Sequence, residues 1–282
     1  MPNSRDAEPF SLLLPTYHAD EPRFLERAFL SAVHEQVRRP DEVVLVRDGQ
    51  VPATLSETLD RLSASSPVPV VRVDLEVNRG LGYALDAGLA ACTYEIVARM
   101  DSDDVSLPER FARQIPLLEQ GYDLVGTALL EFGSDEDDIV GIRTPPTEES
   151  EIVKWSRFHD PFNHPTVVYR RQMVMASGGY RDLPLMEDYW LFARMIEHGA
   201  RVANLSEPLV KYRIGAGAYA RRGGWTLLRS ELTLQRQFRV SGFVTRRQYV
   251  RNLVVRGGYR LVPEKLRRAA YRRLIATRGE RP

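Results

Sequence analysis

Short apolar runs alternate with helical patterns along the first half of the chain. Runs such as FSLLLPTY and EVVLVRDG have the length and the bounding turn residues of buried strands. The stretch EPRFLERAFLSAVHEQV lies between these two runs, and its apolar residues recur on one helical face. Strands that alternate with helices are typical of α/β folds, so we predict an α/β fold with a mainly parallel sheet.

Turn-forming or acidic residues follow three of the predicted strands, at Pro15-Thr16, Asp48-Gly49 and Asp101–Asp104. In open sheets of this kind, ligands bind outside the carboxyl ends of the strands. The three segments would meet at that edge although they are far apart in the sequence. We therefore expect a ligand site there.

The segment ARMDSDDVSLPERF places Asp101, Asp103 and Asp104 within four positions. Like charges this close raise the cost of ionising one another. Two explanations remain open from the residues alone. The carboxylates could share Mg²⁺ or Mn²⁺ with substrate phosphates, or Asp104 or Ser106 could cap the next helix while its neighbours stay solvated. An EF-hand is excluded, because Val105 and Ser106 follow where an Asn or Asp and a Gly would be needed.

The formal charge of +1 is unevenly distributed along the chain. Residues 1–212 hold 21 Lys and Arg against 35 Asp and Glu, which gives −14. Residues 213–282 hold 18 against 3, which gives +15, and their pattern predicts three helices that carry both Arg and apolar residues. Such helices can contact an anionic membrane, pack on the domain or form a dimer. Nucleic-acid binding is disfavoured, because no motif that interleaves aromatic and basic residues appears.

The sequence gives little sign of export or of membrane insertion. A single cysteine fits a reducing compartment, and neither a signal-peptide pattern nor an apolar run of about 18 residues appears. We expect a cytoplasmic protein, with peripheral contact at the inner face of the cell membrane through residues 214–282 as one candidate role for the basic region.

Five motifs taken together, in the order LLPTY, VRDG, NRGLGYALDAGL, ARMDSDDVSLPERF and GGYRDLPLMEDYWL, resemble the family 2 inverting glycosyltransferases. The resemblance covers about residues 9–213 and is strongest to bacterial enzymes that build polysaccharide and cell-wall glycans. It implies the GT-A nucleotide-diphospho-sugar-binding fold over residues 1–213, with a nucleotide-sugar half at about 9–105 and an acceptor half at about 106–213. Residues 214–282 would form a basic helical appendage.

The resemblance also implies which residues bind the donor. In the base-binding loops it points to Pro15, Thr16, Tyr17 and Asp48, and near the ribose and diphosphate to Asn78 and Arg79. Asp101, Ser102 and Asp103 match the D-x-D motif, so Asp103, together with Asp101, is expected to hold Mn²⁺ or Mg²⁺. The family usually has Asp-Asp-Gly-Ser where this chain has Arg47-Asp48-Gly49-Gln50, which leaves the identity of the base open.

On the acceptor side, Glu187-Asp188 matches the catalytic pair of the family. Asp188 is expected to be the general base, while His164 and Trp190 are candidate contacts to the acceptor or the diphosphate. Family members often carry a His after the Tyr-Arg of KYRIGAG, but Ile214 follows Arg213 here, which leaves the third metal ligand open.

The resemblance therefore implies a metal-dependent inverting transferase. It would move a sugar from a nucleoside-diphosphate donor, expected to be a UDP-sugar, to a glycan or lipid-linked acceptor. Two alternatives on the same fold remain: a non-catalytic protein that binds sugar nucleotides, and a transferase that makes a polyprenyl-phosphate sugar. A nucleotidyltransferase is disfavoured, because LLLPTYHADEP lacks the Gly-rich loop that those enzymes carry after the first strand.

Overall fold

The structure is a computed structural model that describes residues 8–214 and 225–258. The described strands are β1 (Phe10–Tyr17), β2 (Glu42–Asp48), β3 (Val70–Asp74), β4 (Ile96–Arg99), β5 (Val105–Ser106), β6 (Leu124–Phe132), β7 (Ile139–Arg143), β8 (Val168–Arg170) and β9 (Val202–Arg213). The described α-helices are α1 (Pro22–Phe29), α2 (Ala53–Ser65), α3 (Leu81–Ala91), α4 (Arg110–Glu119), α5 (Glu149–Trp155), α6 (Arg171–Ala176), α7 (Glu187–Glu197), α8 (Trp225–Ser241) and α9 (Arg246–Asn252). Helices α1 and α9 continue as π-helical turns at Leu30–His34 and Leu253–Gly257, and a 3₁₀ turn spans His164–Thr166.

One sheet contains all of these strands, in the order β3-β2-β1-β4-β8-β6-β9-β5, with β7 paired to β6. Strands β1 to β4 pair with one another only in parallel: β1 with β2, β1 with β4 and β2 with β3. Strand β8 then runs antiparallel to both β4 and β6, so the complete sheet is mixed. The predicted α/β class is confirmed, and the parallel part of the sheet lies where the alternating pattern was clearest.

The two faces of the sheet are buried under separate layers of helices. Alternation along β1 sends Leu12 and Leu14 to one face, where they pack with residues of α1, α2 and α4. Leu13 points to the other face and packs with residues of α3 and α7. Burial on both faces explains why β1 and β2 are continuous apolar runs rather than alternating ones.

The basic C-terminal region begins with two of its predicted helices, which the structure describes as α8 and α9. Leu227, Leu234 and Phe238 of α8 are buried, as its apolar spacing predicts. They join Tyr189 of α7 in a third apolar cluster, so this part of the region packs on the domain. The third predicted helix, near 263–278, lies outside the described residues. None of the helices that the structure describes combines the length and apolar character needed to cross a membrane.

Helix α4 is joined to the sheet by the buried side chain of Gln114. Its amide nitrogen donates to the carbonyl oxygens of Val125 and Thr166, each at 2.9 Å. These acceptors lie on β6 and on the 3₁₀ turn that precedes β8. A single side chain therefore holds three segments together by satisfying buried backbone oxygens.

We predict that Gln114→Met destabilises the fold by about 2 kcal/mol, because it leaves two buried carbonyl oxygens without this donor. Urea unfolding should show a lower midpoint with an unchanged slope. The matched control is Gln172→Met on α6, where the side chain is exposed. Equal midpoints for the two variants would show that the bridge contributes nothing to stability.

Candidate functional site

A pocket of about 410 Å³ opens at the carboxyl ends of β1, β2 and β4. Its wall consists of Pro15, Thr16, Tyr17, Asp20, Asp48, Asn78, Gly80, Leu81, Ala84, Asp101, Ser102, Asp103, Leu185 and Tyr212. The structure thus brings together eight of the residues expected at the donor site. The parallel register produces this convergence, because strands that run the same way end at the same edge.

Asp20, which the sequence patterns did not indicate, organises the wall of the pocket. One of its oxygens accepts hydrogen bonds from the hydroxyls of Thr16 at 2.9 Å and Ser102 at 2.6 Å, and from the backbone N–H of Tyr17 at 3.1 Å. Burial raises the pKa of Asp20, and these hydrogen bonds oppose the rise. The carboxylate therefore ties the loop after β1 to the loop after β4. The available signal was an acidic residue four positions after Thr16, in a loop.

Asp48 ends β2 and holds the loop that precedes α3. Its two oxygens accept the backbone N–H groups of Arg79 at 2.9 Å and Gly80 at 3.0 Å. Gly49 lets the loop approach closely: it has φ 81°, and a Cβ there would lie 2.4 Å from the backbone nitrogen of Asn78. Asp48 therefore shapes the pocket, and its contact with a base stays a prediction.

Two arginines near this loop already have partners within the protein. The guanidinium of Arg79 lies 3.6 Å from the ring centroid of Tyr83, outside the residues that line the pocket. Arg47, which replaces an aspartate common in the family, pairs with Asp74 on β3 at 3.2 Å. The pairing of Arg79 with a phosphate remains a prediction.

Asp101, Asp103 and Asp104 each offer a carboxylate oxygen, and these oxygens lie within 4.8 Å of one another. Burial, together with the charges of Asp101 and Asp20, raises the pKa of Asp103 to about 6. Burial and the neighbouring aspartates raise the pKa of Asp104 well above its usual range. Asp103 and Asp104 therefore lack enough nearby positive charge to offset the cost of ionising both carboxylates.

Arg99, at the end of β4, offsets part of that negative charge from inside the protein. The side chain is 1% exposed, and its two terminal nitrogens donate to the two oxygens of Asp101, one of them at 3.0 Å. This fork fixes the Asp101 carboxylate at the pocket wall. No sequence pattern identified Arg99, because a lone Arg in an apolar run has no periodic signal.

The cluster fits a divalent cation better than it fits a helix cap. Helix α4 begins only at Arg110, and its N-cap residue Glu109 makes no side-chain capping bond. One oxygen of Asp104 accepts the N–H of Arg213 at 2.9 Å, and the other is buried with no hydrogen-bond partner in the described structure. Hard oxygen ligands and an unsatisfied buried carboxylate oxygen suit Mg²⁺ or Mn²⁺. Asp104 is therefore a candidate for the ligand that the family motif left open.

The residues that the resemblance places on the acceptor side converge at the N-terminus of α7. The carboxylate of Asp188 accepts the N–H of Tyr189 at 2.7 Å, and its other oxygen lies 3.4 Å from Nδ1 of His164. Burial and the charge of Arg99 lower the pKa of His164 well below its usual value, so the imidazole is neutral. Its Nε2 lies 3.1 Å from the hydroxyl of Tyr180. A neutral ring here orients Asp188 without adding a charge.

Glu187 and Asp188 differ in their surroundings although they are adjacent. Burial and the charge of Asp188 raise the pKa of Glu187 to about 7. Burial also raises the pKa of Asp188, but the N–H of Tyr189 and the charge of Arg99 oppose that rise. The N–H of Tyr189 and the charge of Arg99 therefore favour the ionised form of Asp188, while burial and the charge of Asp188 favour the protonated form of Glu187.

Two further side chains near the start of α7, Trp190 and Tyr189, hold this helix against the rest of the protein. Trp190 is partly buried, with the guanidinium groups of Arg181 and Arg194 at 5.4 and 5.3 Å from its ring. The hydroxyl of Tyr189 donates to the carbonyl of Ser156 at 2.8 Å, and its ring packs edge-on against Phe238 of α8. The described C-terminal helices therefore pack against α7, the helix that carries the residues expected on the acceptor side.

The end of α9 and the π-helical turn that follows it also hold the loop that leads to His164. The amide of Asn252 donates to the carbonyl of Arg157 at 2.8 Å, and Arg256 donates to the carbonyl of Phe158 at 2.6 Å. Arg256 also pairs with the fully buried Glu231 at 2.6 Å. These bonds connect the described part of the basic region to the acceptor side of the site.

Comparison with known proteins identifies relatives along nearly the whole chain. Residues 11–178 match the family described as Glycosyl transferase family 2. The amylovoran biosynthesis glycosyltransferase AmsE of Erwinia amylovora is 38% identical, over 93% of this chain and 97% of its own length. The UDP-Gal:alpha-D-GlcNAc-diphosphoundecaprenol beta-1,3-galactosyltransferase of Escherichia coli is 32% identical, over 96% of this chain and 98% of its own length.

A solved structure with the same fold is that of S. aureus TarS 1-349 in complex with UDP-GlcNAc. It superposes with a TM-score of 0.65 at 16% identity, covering 96% of this chain and 74% of that chain. At this identity the similarity concerns the fold alone. The GT-A architecture expected from the sequence is thereby confirmed.

We predict that Mn²⁺ raises the melting temperature more at pH 7.5 than at pH 5.0. The pKa of Asp103 in the folded protein, about 6, exceeds its ordinary value near 4, so ionisation of Asp103 opposes folding. That penalty is absent below about pH 4 and fully present above about pH 6. A cation would relieve it only where the carboxylate is ionised, and the measurement is thermal unfolding with and without Mn²⁺.

Asp103→Asn should lose most of the Mn²⁺-dependent rise at pH 7.5, whereas Asp138→Asn, an exposed aspartate in the loop between β6 and β7, should keep it. Without Mn²⁺, Asp103→Asn should be the more stable protein at pH 7.5, by about 1 kcal/mol after allowance for its partial exposure. A shift with Mn²⁺ of the same size in all three proteins would remove Asp103 from the metal site.

Proposed function

The chain belongs to glycosyl transferase family 2, and from its site we propose a metal-dependent, inverting transfer of a sugar from a UDP-sugar to a lipid-linked acceptor. The observation that carries the proposal is the single pocket wall shared by Asp48, on the nucleotide side, and by Asp101 and Asp103, on the diphosphate side. That the chain is a glycosyltransferase follows from its family and relatives, while donor, acceptor and metal are what we propose.

The pocket supports a donor that spans three segments. A nucleoside would lie between the loop after β1 and Asp48, and its diphosphate would reach the carboxylates at the end of β4. Carboxylates repel a diphosphate, so this arrangement is productive only with a cation between them. When bound, Mn²⁺ or Mg²⁺ would supply Lewis-acid stabilisation of the charge that develops on the departing diphosphate.

Asp103 and Asp104 are the residues we propose for holding the cation, because Asp103 lines the pocket and Asp104 has a buried oxygen with no hydrogen-bond partner among the described residues. Both oxygens of Asp101 accept hydrogen bonds from Arg99. The guanidinium therefore fixes the orientation of the Asp101 carboxylate and of its remaining lone pairs. We assign Asp101 to a hydroxyl of the donor or to a shared metal contact. Ser102 is tied to Asp20 and supports the loop.

Asp188 is the proposed general base. Its carboxylate would accept the proton of an acceptor hydroxyl while that oxygen attacks the anomeric carbon from the face opposite the diphosphate. One displacement inverts the configuration, so an α-linked donor gives a β-glycoside. Glu187, with its pKa raised to about 7, would be partly protonated at neutral pH and would then repel the Asp188 carboxylate less, and His164 would orient that carboxylate.

The acceptor class is supported by the relatives. The galactosyltransferase of Escherichia coli is named for UDP-Gal and for an acceptor sugar linked to diphosphoundecaprenol. The donor and the acceptor in that name belong to that protein, which matches 96% of this chain over 98% of its own length. We extend the same classes of donor and acceptor to this chain, where they agree with the proposed roles of the pocket and of Asp188.

Because a lipid-linked acceptor resides in a membrane, we also propose that the basic helices contact the anionic inner face of the cell membrane. Six apolar side chains are exposed on the described C-terminal helices: Trp225, Leu232, Val240, Val250, Val254 and Val255. Exposed arginines accompany them, including Arg246 and Arg247 at the start of α9. Exposed apolar and cationic side chains on the same helices suit an anionic lipid surface.

We predict that Asp188→Asn lowers the rate of sugar transfer by about 10²–10⁴-fold, the usual contribution of a positioned general base. Its affinity for a UDP-sugar in the presence of Mn²⁺ should change by less than about twofold, since the residue acts on the acceptor. Transfer is measured with radiolabelled UDP-Gal or UDP-GlcNAc and a polyprenyl-diphosphate-linked GlcNAc, and affinity by calorimetry.

Asp182→Asn is the matched control, because Asp182 is exposed and lies just before α7. It should transfer sugar at the wild-type rate. Wild-type activity in Asp188→Asn would assign the base to another residue. Loss of donor binding in that variant would place Asp188 in the donor site instead.

We predict that the double variant Arg246→Glu, Arg247→Glu binds vesicles of phosphatidylglycerol at least about tenfold more weakly than the wild-type chain, because each cation near an anionic surface contributes about 1 kcal/mol. Co-sedimentation at low and high salt measures this, and wild-type binding should fall with salt. The control is the double variant Arg39→Glu, Arg61→Glu, whose two residues lie in the N-terminal part of the chain. Equal binding by both double variants would exclude α9 as the membrane contact.

A further inference from the structure

A tight turn just before α7 contains a leucine in an unfavourable backbone conformation. The N–H of Met186 donates to the carbonyl of Leu183 at 2.9 Å, and Pro184 and Leu185 occupy the two central positions. Leu185 has φ 66°, and among the described residues no other non-glycine has a positive φ. This is the pattern of a type II turn, in which proline suits the first central position and glycine the second.

The turn is held by buried residues on both sides. Leu183 and Met186 are 5% and 3% exposed, and they pack with Tyr189 and Phe238 in the apolar cluster formed by α7 and α8. Their burial fixes the path of the chain, so Leu185 has no freedom to relax. A side chain with a Cβ is disfavoured at such a φ, and it persists only where the surroundings impose it.

Burial of its own side chain does not explain why a leucine occupies this position. Leu185 is 51% exposed, so it adds little to the core. Glycine or asparagine would satisfy the turn with less strain. Within the described structure, neither the turn nor the core accounts for a leucine at this position, and its exposed side chain is free to contact a ligand.

The position of Leu185 indicates what that contact is. Its side chain lines the pocket together with Asp101, Asp103 and Tyr212. Along the chain it lies three residues before Asp188, the proposed base. It therefore belongs both to the pocket wall that holds the carboxylates proposed for the diphosphate and to the segment that leads to the residue proposed to deprotonate the acceptor. In an inverting transfer, the donor sugar lies between the diphosphate and the attacking hydroxyl.

We propose that Leu185 is a specificity-determining residue that covers the donor sugar. Its apolar side chain packs on the C–H face of the pyranose and keeps water away from the anomeric carbon. The acceptor hydroxyl, rather than water, is then the nucleophile that Asp188 deprotonates. This inference rests on the proposed function, because it requires a sugar nucleotide in the pocket.

The experiment compares Leu185→Gly, Leu185→Asn and Leu185→Met with the wild-type chain. Calorimetry with Mn²⁺ gives the affinity for UDP and for UDP-Gal and UDP-GlcNAc, and UDP release without acceptor gives the rate of donor hydrolysis. We expect Leu185→Gly to bind the sugar nucleotide at least about fivefold more weakly while its affinity for UDP stays within twofold. Hydrolysis relative to transfer should rise about fivefold or more.

The stability of Leu185→Gly should not fall together with its affinity for the sugar nucleotide. Leu185→Gly relieves the strained φ, so its melting temperature should be equal or higher by about 2–4 °C. Leu185→Asn, which tolerates a positive φ but is polar, should bind and hydrolyse like the glycine variant. Leu185→Met should behave like the wild-type chain, because it restores an apolar side chain.

Three outcomes would overturn the inference. The first is an unchanged ratio of UDP-sugar to UDP affinity in Leu185→Gly. The second is an equal loss of affinity for both ligands, which would mean that the residue only shapes the loop. The third is a wild-type chain that turns over no sugar nucleotide, which would overturn the proposed function as well. Normal wild-type transfer combined with either of the first two outcomes would leave the proposed function standing.

Discussion

Three carboxylates crowd together at the end of β4, and the surrounding structure has to offset their mutual repulsion. Arg99 offsets part of it, because it is buried and its guanidinium donates hydrogen bonds to both oxygens of Asp101. Arg110 donates to the carbonyl of Arg99, and burial together with the charge of Arg99 lowers the pKa of Arg110 to about 9. Two desolvated arginines would themselves be costly without the anions. The carboxylates and the arginines beneath them therefore form one electrostatic unit, which a cation would complete.

That unit is useful because of where the sheet places it. Strands β1, β2 and β4 run parallel, so the loops that follow them meet the carboxylates at one edge. Asp20 and Asp48 then fix those loops through backbone N–H groups and hydroxyls, rather than through apolar packing that would fill the pocket. A site built this way is rigid and still open to a polar ligand.

The proposed acceptor side depends on contacts from outside residues 11–178, which the family model matches. Helix α7 carries Asp188 at its start and is packed from behind by α8, through Tyr189 and Phe238. Arg256 holds the loop that leads to His164. The described part of the basic region is thus a structural support of the site, and this role is compatible with the membrane contact proposed for its exposed face. The same packing anchors the turn that presents Leu185.

The sequence alone determined the α/β class, the alternation of strands and helices from β1 to β4 and the two described C-terminal helices, because periodicity and turn residues are local signals. Family resemblance added the wall residues of the pocket, such as Asp48 and Asp103. Tertiary structure decided the rest: the antiparallel strand β8, the bond from Asp20 to Ser102 and the burial of Arg99 join positions far apart in the chain. Such pairings depend on which surfaces meet when the sheet assembles, and no local pattern encodes that. The turn at Leu185 is the clearest case, since its positive φ is one that glycine adopts most easily, and the packing of Leu183 and Met186 on either side imposes that φ on a leucine.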